Sequence, residues 1–582
     1  MRWIVVEHRP DGGAVLHELA PGPARGEVPD LSHGPTASVP VGPGELARAI
    51  AAREVDRPRW VLDDVALRYP PLLAAGVRLD RCHDLRLCHA IVRTSAACAQ
   101  SALATAPAGP WDARHMPEPV AADEVQATLF DALDAADPAP EQQALVGGRA
   151  TRGAERDPLD PVAELAAQLD AVAGAPQPGR LQLLLAAEST GALIAAEMAH
   201  DGMPWDAAEH DRVLRELLGP RPAPGARPAR LEELAARIRR SLDAPGLNPD
   251  SQQDLLHALR RAGLDVASTR KHEIAAQHHP VVAPLLEYKR LARLLSANGW
   301  AWLDTWVHAG RFRPDYVVGG VVTGRWATSG GGALQLPAQL RSAVRADPGW
   351  TLVVADAAQL EPRVLAAMSA DGAMADAARG ADLYQALADA GTVASRTEAK
   401  YGMLGAIYGA TTGVSAALMP RLTATYPRAI GLVEAAARAG ERGEVVSTWL
   451  GRSSPRPGPS WWAAREAAAG EGADARDVAE ARRLARDWGR FTRNFVVQGT
   501  AAEWALCWLA ALRRRLRDLP GHPHLVFFLH DEVMVHTPAD GADRVAQAVQ
   551  EAAGEAGRLL FGAAPVEFAL DVAIVDSYDR AG

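Results

Sequence analysis

The strongest constraint on the fold is a pair of aspartates that follow apolar, strand-like segments far apart in the chain. The run Leu352–Ala355 precedes Asp356, and residues 525–538, LVFFLHDEVMVHTP, have the pattern of strand, tight turn and strand with Asp531 in the turn. About 175 residues separate the two aspartates. Their carboxylates meet only if the fold makes the two strands neighbours.

Paired carboxylates on adjacent strands suit two divalent cations about 3.5–4 Å apart, which activate an attacking hydroxyl and stabilise a leaving oxygen. Mg²⁺ prefers such oxygen ligands and completes its shell with phosphates and water. Each segment also has a simpler interpretation. Asp356 could cap a helix that begins near Ala358, and the His-Asp-Glu turn could be an ordinary polar hairpin.

A second feature is residues 396–413, RTEAKYGMLGAIYGATTG. The spacing of Arg396, Lys400, Leu404 and Tyr408 predicts one stripe along a helix, roughly 18 Å long at 1.5 Å per residue. Such a stripe can hold two cations against a polyphosphate and an aromatic ring near its other end. The alternative is an amphipathic helix with two solvated cations. Gly409 indicates that the helix loosens after the tyrosine.

Composition limits the class of protein. A chain of 582 residues predicts two to four domains, and 48% hydrophobic with 23% charged residues is typical of a folded protein. No run of about 18 apolar residues is present, and the start lacks the layout of a secretory signal, so we expect a cytoplasmic protein that does not enter a membrane. The cysteines are Cys82, Cys88, Cys98 and Cys507. They are too scattered for a disulfide framework, and because no CxxC pair is present in the sequence we expect no structural metal.

The net charge of −10 excludes a uniformly basic surface, but a polyanion needs only a local positive groove. Residues 311–346 contain five arginines and a single acid, Asp315. Phosphate contacts are therefore expected there. The arginines are Arg311, Arg313, Arg325, Arg341 and Arg345.

Along the chain, residues 1–110 alternate strand and helix signals, which predicts a small α/β unit. Residues 103–180 are rich in Ala, Pro and Gly and predict linkers or partial disorder. The pattern becomes helical from about residue 180. Residues 312–326 predict a hairpin, residues 350–369 a strand that leads into a helix, and 371–484 further helices.

Three segments together resemble the motifs of the family A DNA polymerases, those similar to bacterial DNA polymerase I. The first is DAAQLEPR from Asp356 to Arg363, the second is the stripe from Arg396 to Gly409, and the third is His530-Asp531-Glu532. Further segments resemble the family in the expected order over about residues 185–582. They are LLEYKRLARL at 285–294, TGR at 323–325, LQLP at 334–337, WLGR at 449–452 and RNFVVQGTAA at 493–502.

The resemblance implies an α+β multidomain right hand that adds deoxynucleotides to a primer on a DNA template, in repair or replication gap filling. The predicted polymerase domain is 181–582, preceded by a ribonuclease H-like α/β domain at 1–180. Its parts are a thumb at about 181–300, a palm at about 301–370 and 485–582, and fingers at about 371–484. Primer–template DNA and deoxynucleoside triphosphates are the implied partners, and a monomer is expected.

The resemblance implies functions for individual residues of this chain, according to their positions in the motifs. Asp356 and Asp531, with the Ala357 carbonyl, would bind two Mg²⁺ ions, for which Mn²⁺ could substitute. The nucleotide-contacting residues would be Gln359, Glu361, Arg396, Lys400, Leu404 and Tyr408. Arg396 and Lys400 suit phosphate oxygens, Lys400 could protonate pyrophosphate, Tyr408 would close over the base pair, and Glu361 would crowd the sugar 2′ position.

The resemblance also implies which residues contact the DNA. Arg325 and Gln498 would read minor-groove acceptors that all base pairs share, and Gln335, Asn494 and His530 would position the backbone. Taken singly, Glu361 could be a surface acid, Gln498 a surface amide and Arg325 a solvated cation.

The chain departs from the family pattern at three positions. Ala357 and Ala358 replace Tyr and Ser, which leaves Glu361 as the one residue expected to crowd the sugar 2′ position. Leu404 replaces an aromatic residue. We expect slower or less accurate incorporation than in typical relatives and poor use of dideoxynucleotides.

A 3′–5′ exonuclease with an Asp-x-Glu pair and two later aspartates often precedes this polymerase. Here the first strand offers only Glu7, Asp64 is the one candidate remnant, and no Tyr-x-x-x-Asp segment is convincing. A site without most of its carboxylates should lose its ions, so we expect a degenerate domain. Alternatives are a protein with both polymerase and exonuclease activities, and a DNA-binding relative that has lost catalysis.

Overall fold

The structure is a computed structural model that describes residues 2–22, 28–31, 34–112, 159–330, 332, 336–380, 382–391, 393–409 and 413–581. The side chains of 413–415 are not described. Gln335 and most of the Ala/Pro-rich segment, residues 113–158, lie outside these ranges.

A mixed sheet forms the N-terminal unit. The strand order in this sheet is β3-β2-β1-β5-β6. Outside this order, β4 also pairs with β2, at the end of β2 that is not paired with β3. β1 is antiparallel to β2 and parallel to β5, which is parallel to β6. The α/β unit predicted for residues 1–110 is therefore present. The strands are β1 (Trp3–His8), β2 (Ala14–Pro21), β3 (Pro29–Asp30), β4 (Ala37–Val41), β5 (Arg59–Leu62) and β6 (Arg81–Asp84).

Helices cover this sheet and continue to residue 306. They are α1 (Leu46–Glu54), α2 (Val65–Ala74), α3 (Leu85–Thr94), α4 (Ala102–Thr105), α5 (Pro161–Ala173), α6 (Pro178–Asp201), α7 (Ala207–Leu218), α8 (Ala229–Ser241), α9 (Gln252–Arg261), α10 (Lys271–Ala275), α11 (Val282–Asn298) and α12 (Trp300–Trp306). α6 joins the N-terminal unit to the rest of the protein. Glu197 on α6 accepts hydrogen bonds from the buried Tyr69 of α2 and from Arg513.

Short strands connect this region to a central sheet. β7 (Met203–Pro204), β8 (Val307–His308) and β9 (Arg311–Phe312) form a small sheet, and β10 (Asp315–Val317) pairs with β11 (Ala327–Gly330). The hairpin predicted over 312–326 is thus displaced, because its second strand follows Trp326. Residues 318–326, including Arg325, lie in its loop.

The central sheet is antiparallel and carries the candidate site. Its strands are β12 (Trp350–Ala357), β13 (His524–Leu529), β14 (Glu532–Pro538) and β15 (Leu570–Val575), in the order β13-β14-β12-β15. Thr351–Ala355 of β12 are buried because neighbouring strands and the helix Ala542–Phe561 cover this part of the strand. Asp356, in contrast, is exposed.

The helices that follow β12 are α13 (Leu360–Ser369), α14 (Gly372–Ala377), α15 (Leu383–Asp389), α16 (Arg396–Tyr408), α17 (Gly413–Thr425), α18 (Pro427–Glu441), α19 (Pro459–Ala469), α20 (Ala475–Arg517) and α21 (Ala542–Phe561). A second apolar cluster packs α13 to α18 against α20. α16 ends where expected: Gly409 adopts the left-handed conformation with φ 71°.

Two described helices, α6 and α20, are long and apolar enough to cross a membrane by length and composition alone. Of their most apolar windows, 67% and 94% of the residues are buried inside the fold. Both therefore occupy the positions of core helices.

Candidate active site

The structure brings Asp356 and Asp531 together at one end of the central sheet. β12 pairs with β14, and the register places Asp356 opposite Glu532, the residue after Asp531. The backbone N–H of Ala357 donates to the backbone carbonyl of Asp531 at 2.8 Å. The two aspartates are thus fixed relative to each other by main-chain bonds, which leaves their carboxylates free for other partners.

The helix-cap alternative for Asp356 is wrong. Asp356 belongs to β12, and the next helix, α13, begins at Leu360 after Gln359, which has φ 55° and makes no side-chain cap. His530 in the hairpin turn also has a positive φ, 55°. Backbone in this region is uncommon for residues other than glycine and often marks functional sites.

The acid pair carries strong electrostatic repulsion. Burial, then the charges of Asp356 and Glu361, raise the pKa of Asp531 to about 8, against the opposing effect of Arg325. The pKa of Asp356 is raised as well, by loss of hydration and by Asp571, its cross-strand neighbour on β15. A divalent cation between the carboxylates would remove this repulsion, so the donor chemistry fits a metal.

Few protein ligands are available for such a cation. Within the described ranges, no group of three or more His, Cys, Asp or Glu is placed to hold a metal ion. Two carboxylates and a carbonyl leave most of an octahedral shell to water and substrate oxygens. That is the manner in which Mg²⁺ is usually held beside phosphates.

A polar cluster lies next to the acid pair. Arg325, from the β10–β11 loop, forms an ion pair with Glu361 of α13. The Tyr408 hydroxyl at the end of α16 is hydrogen-bonded to Glu361 and to Gln498 of α20. Tyr408 and Gln498 are 5% and 4% exposed. The interpretation of Glu361, Gln498 and Arg325 as isolated solvated residues is therefore wrong.

Two further predicted DNA contacts have buried atoms without protein partners. Among the described residues, Nδ1 of His530 and Oδ1 of Asn494 are buried and lack a hydrogen-bond partner. Burial, assisted by Arg325, lowers the pKa of His530 to about 3, so this ring is neutral. Buried polar atoms are normally satisfied, which makes both groups candidates for contact with a ligand.

The stripe of α16 runs from solvent into the core. Arg396 and Lys400 are exposed, Leu404 is half-buried and Tyr408 is buried. Nε of Arg396 donates to Asp382 at 2.6 Å. The stripe thus presents two cations at one end and the buried ring at the other.

Gln359 is occupied by the protein itself. Its amide oxygen accepts from the backbone N–H of Leu383 at 2.8 Å, and its Nε2 donates to Asp382 at 3.2 Å. In this conformation Gln359 supports the start of α15, and both ends of its amide have protein partners.

The expected phosphate-binding cluster in residues 311–346 is largely paired with protein groups. Arg311 binds Asp347, Arg325 binds Glu361, and Arg341 lies over the Tyr578 ring. The charge count did not reveal these ion pairs, because Asp347 stands one residue beyond the counted window and Glu361 approaches only in the fold.

Sequence reasoning also missed several residues around the site, because no motif marks them. Asp571 lies opposite Asp356 in register, a relation that appears only when strand pairing is known. Arg493 of α20 fixes the end of α16 by donating to the carbonyl of Ala406 at 2.7 Å. The other missed residues are Asp382 and Tyr578.

The acids of the N-terminal sheet have protein partners. Glu7 is hydrogen-bonded to His17 at 2.7 Å. Asp63 accepts two bonds of 2.9 Å from Arg68, and Asp64 caps α2 and pairs with Arg86 at 2.9 Å. Guanidinium groups thus stand beside the carboxylates at this edge of the sheet.

Comparison with known proteins gives consistent results. The family model described as DNA polymerase family A matches residues 228–579, more than half of the chain. DNA polymerase I of Chloroflexus aurantiacus is 26% identical over 332 residues, 52% of this chain and 33% of the relative. The thermostable DNA polymerase I of Thermus filiformis is 28% identical over 305 residues, 47% of this chain and 34% of the relative. The matched stretch therefore spans about a third of these relatives.

A solved structure is similar over almost the whole chain. It is the POL domain of Pol1 from M. smegmatis, in complex with DNA primer-template and dNTP. The TM-score is 0.65 at 16% identity, with 99% of this chain and 95% of that chain covered. This similarity confirms the fold class predicted from the sequence, an α+β multidomain right hand with an α/β unit before it.

Proposed function

The chain belongs to the family A DNA polymerases, and we propose that it extends a DNA primer on a DNA template by adding deoxynucleoside monophosphates. One observation carries this proposal. The β12–β14 pairing brings Asp356 and Asp531 together, and Glu361, five residues after Asp356 in α13, forms an ion pair with Arg325. The charges of Glu361 and Arg325 also act on Asp531. The acid pair and the Arg325–Glu361–Tyr408–Gln498 cluster are therefore parts of one site, which combines a place for cations with a place for a sugar and a base pair.

The carboxylates of Asp356 and Asp531 and the carbonyl of Ala357 would hold two Mg²⁺ ions, with Mn²⁺ as a substitute. Bound there, the cations would lower the pKa of the primer 3′-hydroxyl and would stabilise the leaving oxygens. The protein's own part is to hold the two aspartates side by side, which the β12–β14 pairing does. The repulsion between the two acids supports this assignment, because a divalent cation between them would relieve it.

The exposed end of α16 would bind the triphosphate. Arg396 offers a planar fork and Lys400 a point charge, and both are accessible to solvent. Asp382 holds the Arg396 guanidinium in place. In the reaction Lys400 donates a proton to the pyrophosphate oxygen as that group leaves.

The buried cluster would select the nucleotide. Glu361, fixed between Arg325 and Tyr408, closes the space beside the 2′ carbon, while the Tyr408 ring covers the new base pair. Gln498 and Arg325 donate to minor-groove acceptors common to all pairs. His530 and Asn494, with their unpartnered buried atoms, would hold the primer and template backbones, as would Gln335, which lies outside the described residues.

We infer that the N-terminal domain does not proofread. Asp63 and Asp64 are engaged by Arg68 and Arg86, and a guanidinium beside a carboxylate opposes binding of a second cation there. The remaining proposals follow from the family: a monomer in the cytoplasm, associated with the nucleoid, that acts in repair or replication gap filling without membrane contact.

The test is the length of a labelled primer after incubation with template, Mg²⁺ and the four deoxynucleotides. Lengthening is the expected result. Shortening, with or without nucleotides, would support an exonuclease instead, and DNA binding with no change in length would support a relative that has lost catalysis.

A further inference from the structure

A tyrosine from the C-terminal turn reaches the acidic site. Tyr578 opens the short 3₁₀ turn Tyr578–Arg580 and is 1% exposed. Its hydroxyl donates to Oε2 of Glu532 at 2.8 Å. Its backbone N–H donates to the carbonyl of Val344 at 3.0 Å. The ring is therefore fixed by the main chain while its hydroxyl holds a carboxylate of the third motif.

Arg341 completes this arrangement. Its guanidinium carbon lies 4.5 Å from the centroid of the Tyr578 ring. Its buried Nε has no hydrogen-bond partner among the residues that the structure describes. The cation thus stacks on the ring and adds positive charge next to Glu532 and Asp356.

Glu532 stands where it could interfere with the cations. It lies directly opposite Asp356 in the β12–β14 register, so both side chains leave the same face of the sheet. A glutamate has enough reach to turn towards a cation held by its neighbours. A third carboxylate would tighten cation binding, because affinity follows the number of charged ligands, but it would occupy a position that a substrate oxygen needs.

We propose that Tyr578 is a positioning residue that restrains Glu532 outside the cation site, so that the site keeps two carboxylates and its remaining coordination places stay open for nucleotide oxygens. Arg341 supports the restraint by holding the ring and by balancing the Glu532 charge. The inference rests on the proposed function, since it concerns the same cations. It also gives the C-terminal turn a role that no motif assigns.

The test measures Mn²⁺ binding to the full chain, which is monitored through the electron paramagnetic resonance signal of free Mn²⁺. Binding of Mn²⁺ at other sites is measured with an Asp356→Asn/Asp531→Asn variant and subtracted. Tyr578→Phe keeps the ring and removes only the hydroxyl. We expect it to lower the Mn²⁺ Kd by about tenfold and to slow primer extension at saturating metal. Adding Glu532→Gln to Tyr578→Phe should reverse both effects.

Tyr69→Phe is the matched control. Tyr69 is also fully buried and donates to a glutamate, Glu197, that an arginine binds, but it lies far from the acidic site in the fold. This variant should leave the Mn²⁺ Kd unchanged. A general loss of stability would weaken metal binding and extension together, whereas the proposal predicts tighter binding with slower extension.

An unchanged or raised Kd in folded Tyr578→Phe would overturn the proposal, as would failure of Glu532→Gln to reverse the change. Should Tyr578→Phe not fold, Glu532→Gln alone decides, because its amide oxygen still accepts from Tyr578: an unchanged Kd supports the restraint, and weaker binding makes Glu532 a ligand and refutes it. The binding measurement needs no turnover, so wild-type protein that binds Mn²⁺ but extends no primer would refute the proposed function alone.

Discussion

The backbone N–H of Ala357 donates a 2.8 Å hydrogen bond to the backbone carbonyl of Asp531. This bond continues the β12–β14 pairing by one step beyond Asp356 and Glu532. Main-chain geometry therefore sets the separation of the two strand positions that carry the candidate metal ligands. A site built in this way is held by the sheet before any cation arrives, which is the preorganisation that metal-assisted catalysis requires.

The acid pair should make stability depend on pH. Asp531 has a folded pKa of about 8, whereas an unfolded aspartate has a pKa of about 3.9. Between these values the folded state binds more protons, so the free energy of unfolding falls as pH rises from about 4 to 8. Without metal, the melting temperature should decline over this range less in Asp531→Asn than in wild type. Mg²⁺ at pH 8 should raise the wild-type melting temperature. Equal pH slopes in the two proteins would contradict the assignment.

Sugar selection should depend on Glu361. Ala357 and Ala358 supply little bulk, so Glu361→Ala should raise the efficiency of ribonucleotide relative to deoxyribonucleotide insertion by about 10- to 200-fold, the usual range for a steric difference of this size. Single-nucleotide insertion kinetics give the ratio. Glu398→Ala, a surface change on α16, serves as the control and should leave it unaltered. A ratio that does not move in Glu361→Ala would place the sugar elsewhere.

Leu404 should limit the use of dideoxynucleotides. Its side chain carries no hydroxyl to replace the missing 3′ group, and it is half-buried against the second apolar cluster. Leu404→Tyr should improve dideoxynucleotide insertion relative to deoxynucleotide insertion by about tenfold, the effect of one hydrogen bond to a polar partner. Leu404→Phe adds the ring alone and separates stacking from hydrogen bonding. A wild-type dideoxy selectivity ratio near one would contradict this account.

The N-terminal domain should contribute to stability through Arg513. This residue bonds to both carboxylate oxygens of Glu197 and to the carbonyls of Leu79 and Asp80. Arg513→Met would leave the Glu197 charge buried, so we expect a loss of about 3–5 kcal/mol in the free energy of unfolding by urea. The exposed pair Arg483–Glu480 is the comparison: Arg483→Ala should change the free energy of unfolding much less, because exposed ion pairs contribute little to stability. Equal losses of stability in the two variants would show that Arg513 and Glu197 do not form a buried ion pair.

The sequence predicted those parts of the site that follow from local pattern. The apolar run before Asp356, the strand–turn–strand around Asp531 and the 3.6-residue spacing of α16 each define an element without knowledge of the others. Gly409 even marked the end of the helix. These signals lie within about a dozen residues, so short-range periodicity is enough to find them.

Relations between distant segments could not be found in this way. Asp571 opposite Asp356, Asp347 beside Arg311 and Tyr578 on Glu532 depend on strand order and on how the C-terminal turn returns to the sheet. The motif predicts that Gln359 contacts the nucleotide, but it does not predict the bond between its amide and the start of α15. Motif position indicates that a residue belongs to the site, but the contacts of its side chain come from packing.

The most direct test of the account is extension of a labelled primer by Asp356→Ala and Asp531→Ala, compared with wild type and with Asp64→Ala as an acid of the N-terminal domain. Loss of a metal-binding carboxylate removes several kcal/mol of transition-state stabilisation, so extension should fall at least about 10³-fold in the first two variants while DNA binding persists. Asp64→Ala should extend the primer like wild type. Extension that survives in Asp356→Ala or Asp531→Ala, or that is lost in Asp64→Ala, would contradict the assignment of catalysis to the Asp356–Asp531 site.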